Sequence, residues 1–291
     1  MNADQNGNSN LNNKMNQNNK INKKDNANYV SSFRKTWEIL SPAVYYYVAY
    51  NIVLVLLAFI TGAVVNKFFS ANMQELMEYD ATVSALLSGV AMILGVLPLI
   101  PMLKSQLYRN KMLEPAYKPK TLHYLITCVI ACASSVGLNI LLILTGFVDS
   151  SEAYSQVSSR QYGVAFGLGL ILYGVLSPVT EEIIFRGLVF NRMKKYYQRR
   201  LAIIVSAALF GIWHGNMVQA VYGTCMGILL AYTYDKFKSF LIPCLFHAVA
   251  NISVYTITYN SRIYEAVVNP FSCIILLLIA GCTFVWMEKG R

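Results

Sequence analysis

Residues 163–190 read GVAFGLGLILYGVLSPVTEEIIFRGLVF, an apolar run long enough to cross a bilayer that nevertheless contains two adjacent glutamates. Of the fourteen acidic residues in the sequence, only Glu181 and Glu182 fall within its long apolar runs. A bilayer penalises an ionised carboxylate at a helix centre by roughly 2.5–3.5 kcal/mol. The pair therefore indicates a membrane helix that carries a functional site.

The composition indicates a polytopic membrane protein, because 56% of the 291 residues are hydrophobic and 13% are charged. Apolar runs of transmembrane length predict an all-α fold with eight membrane helices. Their approximate bounds are 41–65, 81–103, 121–147, 163–190, 200–215, 217–234, 240–258 and 268–287.

The basic residues predict how these helices are oriented. With eight spans and a cytoplasmic N-terminus, all of the 24 basic residues except Lys67, Arg160 and Arg262 fall in or next to the tail, the even-numbered loops and the C-terminus. Cytoplasmic loops are enriched in lysine and arginine, so we expect both termini in the cytoplasm. The net charge of +10 then reflects topology and contact with the lipid bilayer, and we expect no nucleic-acid partner.

Composition divides the chain into three segments. Residues 1–30 are Asn-rich, and we expect a disordered cytoplasmic tail because they bury too little surface to offset their ordering entropy. Residues 31–160 hold predicted membrane helices without an assignable motif, and residues 161–291 hold the predicted catalytic core. An Asn- and Lys-rich tail is typical of bacteria with AT-rich genomes, so the expected location is a bacterial cell membrane.

The first of three polar motifs is the glutamate pair with Arg186. Glu182 and Arg186 lie four residues apart and face each other on a helix, where they can form an ion pair. Glu181 is rotated about 100° away and has no local cation. Glu181 is therefore the candidate general base, which takes a proton from water. The alternative is that Glu182 and Arg186 form a structural ion pair without catalytic significance.

The other two motifs lie on later helices and each spans one helical turn. They join Phe210 to His214 and His247 to Asn251. A single membrane histidine often only bonds a neighbouring helix, but polar side chains in a bundle tend to face one another, so we expect one shared site. Such a site could activate water and bond a developing oxyanion. A glutamate and two histidines could also hold zinc.

Helical geometry predicts the depth of these groups in the membrane. A rise of about 1.5 Å per residue from the predicted cytoplasmic ends places His247 roughly 10 Å deep, Glu181 roughly 14 Å and His214 near 20 Å. The helix that carries His214 would then approach the far half of the bilayer. We expect the hairpin of the fifth and sixth spans to stop short of the outer surface.

The motifs EEIIFR (181–186), FGIWH (210–214) and HAVAN (247–251), in this order, resemble those of the CAAX-processing and bacteriocin-processing (CPBP) intramembrane proteases. That family includes the type II CAAX endopeptidases and bacterial proteins formerly labelled Abi. The resemblance implies an eight-helix fold with a conical cavity open to the cytoplasm. It also implies a glutamate-dependent, metal-independent peptidase that needs no cofactor.

The resemblance implies a role for each polar group. Glu181 with His214 would activate the attacking water, and His247 with Asn251 would form the oxyanion hole. These roles follow from the family motif and not from the spacing of the residues.

The other motif residues would support such a site. Glu182 would orient it and pair with Arg186, and Phe210 would shape its pocket. The resemblance covers roughly residues 165–257, about a third of the chain. It therefore assigns no function to the first three spans.

The leading functional prediction is an endopeptidase that cleaves a peptide or membrane-protein substrate near the cytoplasmic face. Peptide or bacteriocin processing, or self-immunity, would be its context. The first alternative is a non-enzymatic membrane scaffold or immunity protein that retains the family site. The second is a proton-coupled transporter, which the absence of a visible inverted repeat in the sequence disfavours. The sequence leaves the oligomeric state open.

Overall fold

A computed structural model describes residues 4–69, 81–113 and 119–289. Within these residues the regular structure is entirely helical, which confirms the predicted all-α class. The helices are α1 Asp4–Phe69, α2 Ala81–Val96, α3 Ile100–Leu113, α4 Thr121–Leu144, α5 Glu152–Tyr162, α6 Phe166–Met193, α7 Arg199–Ile212, α8 Met217–Phe237, α9 Leu241–Tyr259, α10 Ser261–Val267 and α11 Pro270–Lys289.

Helix α1 begins at Asp4 and so runs through most of the first 30 residues. The expected disorder of this tail stays a prediction. The chain separates into one compact unit that ends at Ser41 and another that begins at Pro42. The proposed boundaries at residues 30 and 160 stay predictions.

Six helices in the described residues are long and apolar enough to cross a membrane, and the chain is a multi-pass membrane protein. They are Ser31–Lys67, Ala81–Asn110, Thr121–Leu144, Phe166–Met193, Leu241–Tyr259 and Pro270–Lys289. The count of eight is not confirmed, because α7 and α8 do not meet this standard. The 14 residues of α7 rise about 21 Å, less than a hydrocarbon core of about 30 Å. That the hairpin stops short of the outer surface stays a prediction.

The α7–α8 hairpin depends on glycine at its helix contact. A Cβ atom on Gly211 would lie 2.3 Å from the carbonyl oxygen of Ala220 and 2.3 Å from Oγ1 of Thr224. The backbones of α7 and α8 can approach this closely only because Gly211 has no side chain. The same glycine lies between Phe210 and His214, so the close packing fixes the position of this motif.

Helix α6 changes its winding on both sides of the glutamate pair. The stretches Leu170–Leu176 and Ile183–Phe190 are π-helical, and a six-residue α-helical segment, Ser177–Glu182, separates them. Pro178 has no backbone N–H, so it adds no helical hydrogen bond at the first of these transitions. Wider π turns rotate the following side chains and often occur at functional sites.

The charged loops and helix ends form one end of the bundle, called here the basic end. It comprises the starts of α4 and α7 and the ends of α6, α8 and α11, which meet around Asp235. The Asp235 carboxylate accepts hydrogen bonds from Nζ of Lys194 at 2.6 Å and Nζ of Lys238 at 3.1 Å, and it pairs with Arg199. Burial raises the Asp235 pKa, but these hydrogen bonds and charges outweigh that effect and hold the pKa below its usual value. The carboxylate therefore stays ionised and holds three chain segments together.

The opposite end of the bundle contains α5, the last turns of α4 and α9, and the start of α6. Aromatic side chains join these elements. The rings of Tyr162 and Tyr255 stack with centroids 5.2 Å apart, and those of Phe166 and Tyr259 lie 5.0 Å apart. Between these two ends, α9 packs against α4 and against the first π-helical part of α6, which brings the predicted motifs together.

Candidate active site

The predicted ion pair between Glu182 and Arg186 is present. Nη1 of Arg186 donates to Oε1 of Glu182 at 2.9 Å, and Nη2 donates to the carbonyl oxygen of Gly227 at 3.2 Å. The exposed fraction is 1% for Arg186 and none for Glu182. The guanidinium also lies over the Phe210 ring, 4.4 Å from its centroid. The pair therefore links α6 to both helices of the α7–α8 hairpin.

Glu182 also contacts the histidine of α9. Nδ1 of His247 lies 2.8 Å from Oε1 of Glu182, and it donates to the carboxylate when it is protonated. In a neutral imidazole the other nitrogen, Nε2, is then an acceptor. This contact determines which side of the His247 ring faces the rest of the site, while the orienting role expected of Glu182 stays a prediction.

His214 is held in the same way by its own helix. Its Nδ1 lies 2.9 Å from the carbonyl oxygen of Phe210, and because a carbonyl only accepts, this nitrogen must carry the proton. The geometry therefore directs the Nε2 atoms of His214 and His247 to one place. They lie 3.9 Å and 3.8 Å from Oε2 of Glu181.

The two oxygens of the Glu181 carboxylate have different surroundings. Oε1 accepts a hydrogen bond from the Ser177 hydroxyl at 2.5 Å, one helical turn earlier. Oε2 is buried and has no hydrogen-bond partner among the described residues. Contacts of 3.8–3.9 Å to two imidazole nitrogens are too long for direct hydrogen bonds and suit a bridging water.

Asn251 and Phe210 also lie at the site. Nδ2 of Asn251 donates to the carbonyl oxygen of Tyr173 at 2.9 Å, which uses one of its two N–H groups. The Phe210 ring meets the His214 and His247 rings edge-on, with centroids 5.0 Å and 5.5 Å apart. The structure therefore brings together every residue singled out from the three motifs, while their chemical roles stay predictions.

The polar cluster opens into a cavity of 510 Å³. Glu181, His214, His247 and Asn251 contribute to its wall, whereas Glu182 and Arg186 are buried behind it. The remaining wall is largely aromatic and apolar and includes Tyr50, Met92, Leu142, Tyr154, Val157, Tyr162, Tyr173, Val218, Tyr222, Met226, Val254 and Tyr255.

The cavity lies on the side of the glutamates away from the basic end. Towards the basic end, every residue from Ile183 to Phe190 is buried. Bulky side chains such as Phe185 and Leu188 pack tightly below the glutamate pair, so the cavity does not extend towards the basic end. The expected opening to the cytoplasm stays a prediction, because it depends on which side of the membrane each end faces.

Sequence reasoning missed several polar groups that hold the site in place. Ser177 lies four residues before Glu181, and the helical period could have identified it. Asn191, which is buried, donates to the Tyr234 hydroxyl at 2.7 Å and to the carbonyl oxygens of Arg186 and Gly187 at 3.0 Å. These bonds satisfy the backbone where α6 is π-helical, and no local sequence pattern predicts them.

Comparison with known proteins supports the resemblance drawn from the motifs. Residues 163–253 match the model of a family described as "Type II CAAX prenyl endopeptidase Rce1-like", and all three motifs fall in that range. A Bacillus subtilis (strain 168) protein described as "Putative membrane peptidase YdiL" is 27% identical over 139 residues. That match covers 41% of this chain and 57% of the relative, so the chain spans a little over half of the relative's length. No solved structure matches the chain.

Proposed function

We propose that the chain is a membrane endopeptidase in which Glu181 activates a water molecule for attack on a peptide bond. The observation that carries the proposal is the convergence of two imidazole Nε2 atoms, from His214 and His247, on the buried Oε2 of Glu181 at the wall of a cavity. The matching family model and the similarity to a protein described as a membrane peptidase support the same class of activity.

The geometry suggests how the water is held before the reaction. One of its hydrogens bonds to Oε2 of Glu181, and the other bonds to Nε2 of His214, an acceptor because its Nδ1 donates to a backbone carbonyl. The water oxygen then attacks the carbonyl carbon of the substrate, and Glu181 takes the proton. Collapse of the intermediate breaks the C–N bond, and Glu181 returns the proton to the amine that leaves.

The oxyanion of the intermediate requires hydrogen-bond donors. Asn251 has a second N–H beyond the one bonded to Tyr173. His247 donates through Nε2 in its doubly protonated form, which the adjacent Glu182 carboxylate stabilises. This arrangement assigns different chemistry to the two glutamates, since Glu181 exchanges protons with the substrate and Glu182 supports His247.

The test uses purified protein in liposomes with a quenched-fluorescent peptide library. Glu181→Gln preserves the size of the side chain but removes the base, and we expect activity to fall about 10²–10⁴-fold. Glu152→Gln, on the exposed face of α5, is the matched control and should retain activity. Full activity of Glu181→Gln, with an unchanged helix signal, would refute the mechanism and favour a non-enzymatic scaffold.

A chelator arm tests the zinc alternative. A glutamate peptidase that uses no metal should cleave equally well after incubation with a chelator. Loss of activity that added zinc restores would assign the histidines to metal binding instead. A role in bacteriocin processing or self-immunity stays a prediction that a cleaved peptide sequence would address.

A further inference from the structure

The position of the cavity along the bundle indicates how a substrate reaches the site. Its wall includes Asn139 and Leu142, in the last two turns of α4, and Tyr154 and Val157 on α5. On α9 it includes Tyr255, one turn beyond Asn251 towards the end opposite the basic end. From the glutamates, the cavity therefore extends towards the end of the bundle that contains α5.

The α7–α8 hairpin brings His214 to this cavity. Helix α7 starts at Arg199, at the basic end, and its 14 residues rise about 21 Å. The chain then turns at Gly215, which has a φ of 74°, and α8 returns to the basic end. His214, next to this turn, lies in the cavity wall, and the first turns of α8 add Val218 and Tyr222 to the same wall.

The route from the basic end is closed by packing. Ile184, Leu188 and Phe190 of α6 have no exposed surface, and neither does Phe246 of α9. Protein interiors are close-packed, so a peptide chain could not pass this layer without separating the helices. Glu181 is accessible to a substrate from the cavity side.

The distribution of basic residues assigns these two ends to the two sides of the membrane. The ends of α6 and α8 and the start of α7 carry the clustered cations that the positive-inside rule places in the cytoplasm, such as Lys194, Lys195 and Arg200. The end that contains α5 then faces outward. A site with this geometry would receive substrates from the external side.

The cavity wall also restricts the chemistry of the substrate. Apart from Glu181 and the two histidines, the wall consists of neutral side chains, and six of them are tyrosines: Tyr50, Tyr154, Tyr162, Tyr173, Tyr222 and Tyr255. Apart from His247, which the proposed mechanism protonates to bind the oxyanion, such a wall offers apolar area and hydroxyl groups. A charged substrate residue elsewhere along the cavity would lose its hydration without gaining a partner of opposite charge.

We propose that the site takes an apolar peptide segment that enters from the external face of the membrane. The proposal rests on the proposed peptidase function for its substrate class, but the direction of access can be measured without any cleavage. Cysteine labelling with a membrane-impermeant thiol reagent supplies that measurement, with the wild-type signal of the six native cysteines subtracted.

Three single variants report on three positions. Val157→Cys lies on α5 at the outer part of the cavity, and Tyr173→Cys lies on the wall of the cavity near the site. Lys195→Cys lies at the exposed basic end and is the control for orientation. In right-side-out membrane vesicles, we expect Val157→Cys and Tyr173→Cys to react at least tenfold faster than Lys195→Cys. Inside-out vesicles should give the reverse order.

Three outcomes would overturn external access. These are labelling of Tyr173→Cys from inside-out vesicles alone, its failure to react from either side, and labelling of Lys195→Cys in right-side-out vesicles. Adding Glu181→Gln to Tyr173→Cys should leave the labelling unchanged. If the protein cleaved no peptide, the proposed function would be refuted, but the measured direction of access would still hold.

Protection from labelling tests the substrate chemistry. An apolar peptide added to right-side-out vesicles should slow the labelling of Tyr173→Cys at least fivefold. The same peptide with aspartates at alternate positions should give no protection. Equal protection by both peptides would contradict the preference for an apolar segment, and protection by neither would contradict peptide entry into this cavity.

Discussion

Replacement of Arg186 by methionine tests how the buried charges support the site. Arg186 donates to Glu182 and to the carbonyl of Gly227, and its guanidinium covers the Phe210 ring. Methionine retains most of the apolar volume, so the variant removes mainly the charge and the hydrogen bonds. Glu182 would then be a buried carboxylate with His247 as its remaining partner.

The magnitude follows from the burial of the pair. Breaking a buried ion pair by removing one partner costs about 3–5 kcal/mol, because the other charge stays desolvated. His247 can still bond Glu182, so the loss should lie at the lower end of this range. We therefore expect Arg186→Met to lower the free energy of unfolding by about 3 kcal/mol. Replacing both charges, in Arg186→Met with Glu182→Gln, should cost about 1–2 kcal/mol, because no unpaired charge then stays buried. Glu182→Gln alone should cost about as much as Arg186→Met.

The assay is equilibrium unfolding in mixed micelles, followed by circular dichroism as the fraction of denaturing detergent increases. Arg160→Met, at an exposed position on α5, is the matched control and should shift the free energy of unfolding by less than about 0.5 kcal/mol. The double-mutant cycle should give a favourable coupling energy of several kcal/mol. A double variant that loses the sum of the two single effects would refute the view that these charges stabilise each other.

Two further variants test the hairpin and the basic end of the bundle. Gly211→Ala should destabilise the protein by about 1–3 kcal/mol or more, since its methyl group would overlap the α8 backbone, whereas Gly281→Ala, with open space around it, should be neutral or stabilising in the same unfolding assay. Asp235→Asn should lower the free energy of unfolding at neutral pH by about 1–3 kcal/mol, a range reduced because its cationic partners are partly exposed. The Asp235 pKa is lowered in the folded state, so its contribution is present above the usual value of about 3.9 and is lost as the pH falls through the lower folded-state value. Melting curves of wild type and Asp235→Asn should therefore converge at acidic pH, and a constant difference would contradict this assignment.

Much of the site could be predicted because the helical period relates residues four apart. Glu182 and Arg186 pair as predicted, and Glu181 is free of that pair and faces two histidines. The tendency of buried polar groups in a membrane bundle to meet one another was sufficient to predict that three separate motifs share one site.

Other features depend on contacts between distant parts of the chain and could not be predicted. Asp235 lies one residue beyond a predicted span, yet it joins the end of α8 to two other segments through Lys194 and Arg199, which are more than 30 residues away in the sequence. The second π-helical stretch of α6 is bonded by Asn191 of the same helix, which also donates to Tyr234 of α8. A periodic pattern read along one helix contains no information about such partners.

The length of α7 sets the level at which His214 meets the rest of the site. A helix that crossed the whole bilayer would carry its turn to the far surface, and its side chains would fill the space beside α9. Because α7 ends after about 21 Å, the turn brings the His214 imidazole to the level of Glu181. The cavity beside His214 is lined by tyrosines of five helices, among them Tyr222 of the hairpin itself. The position of His214 in the site is thus a consequence of the hairpin, whose close packing depends on Gly211.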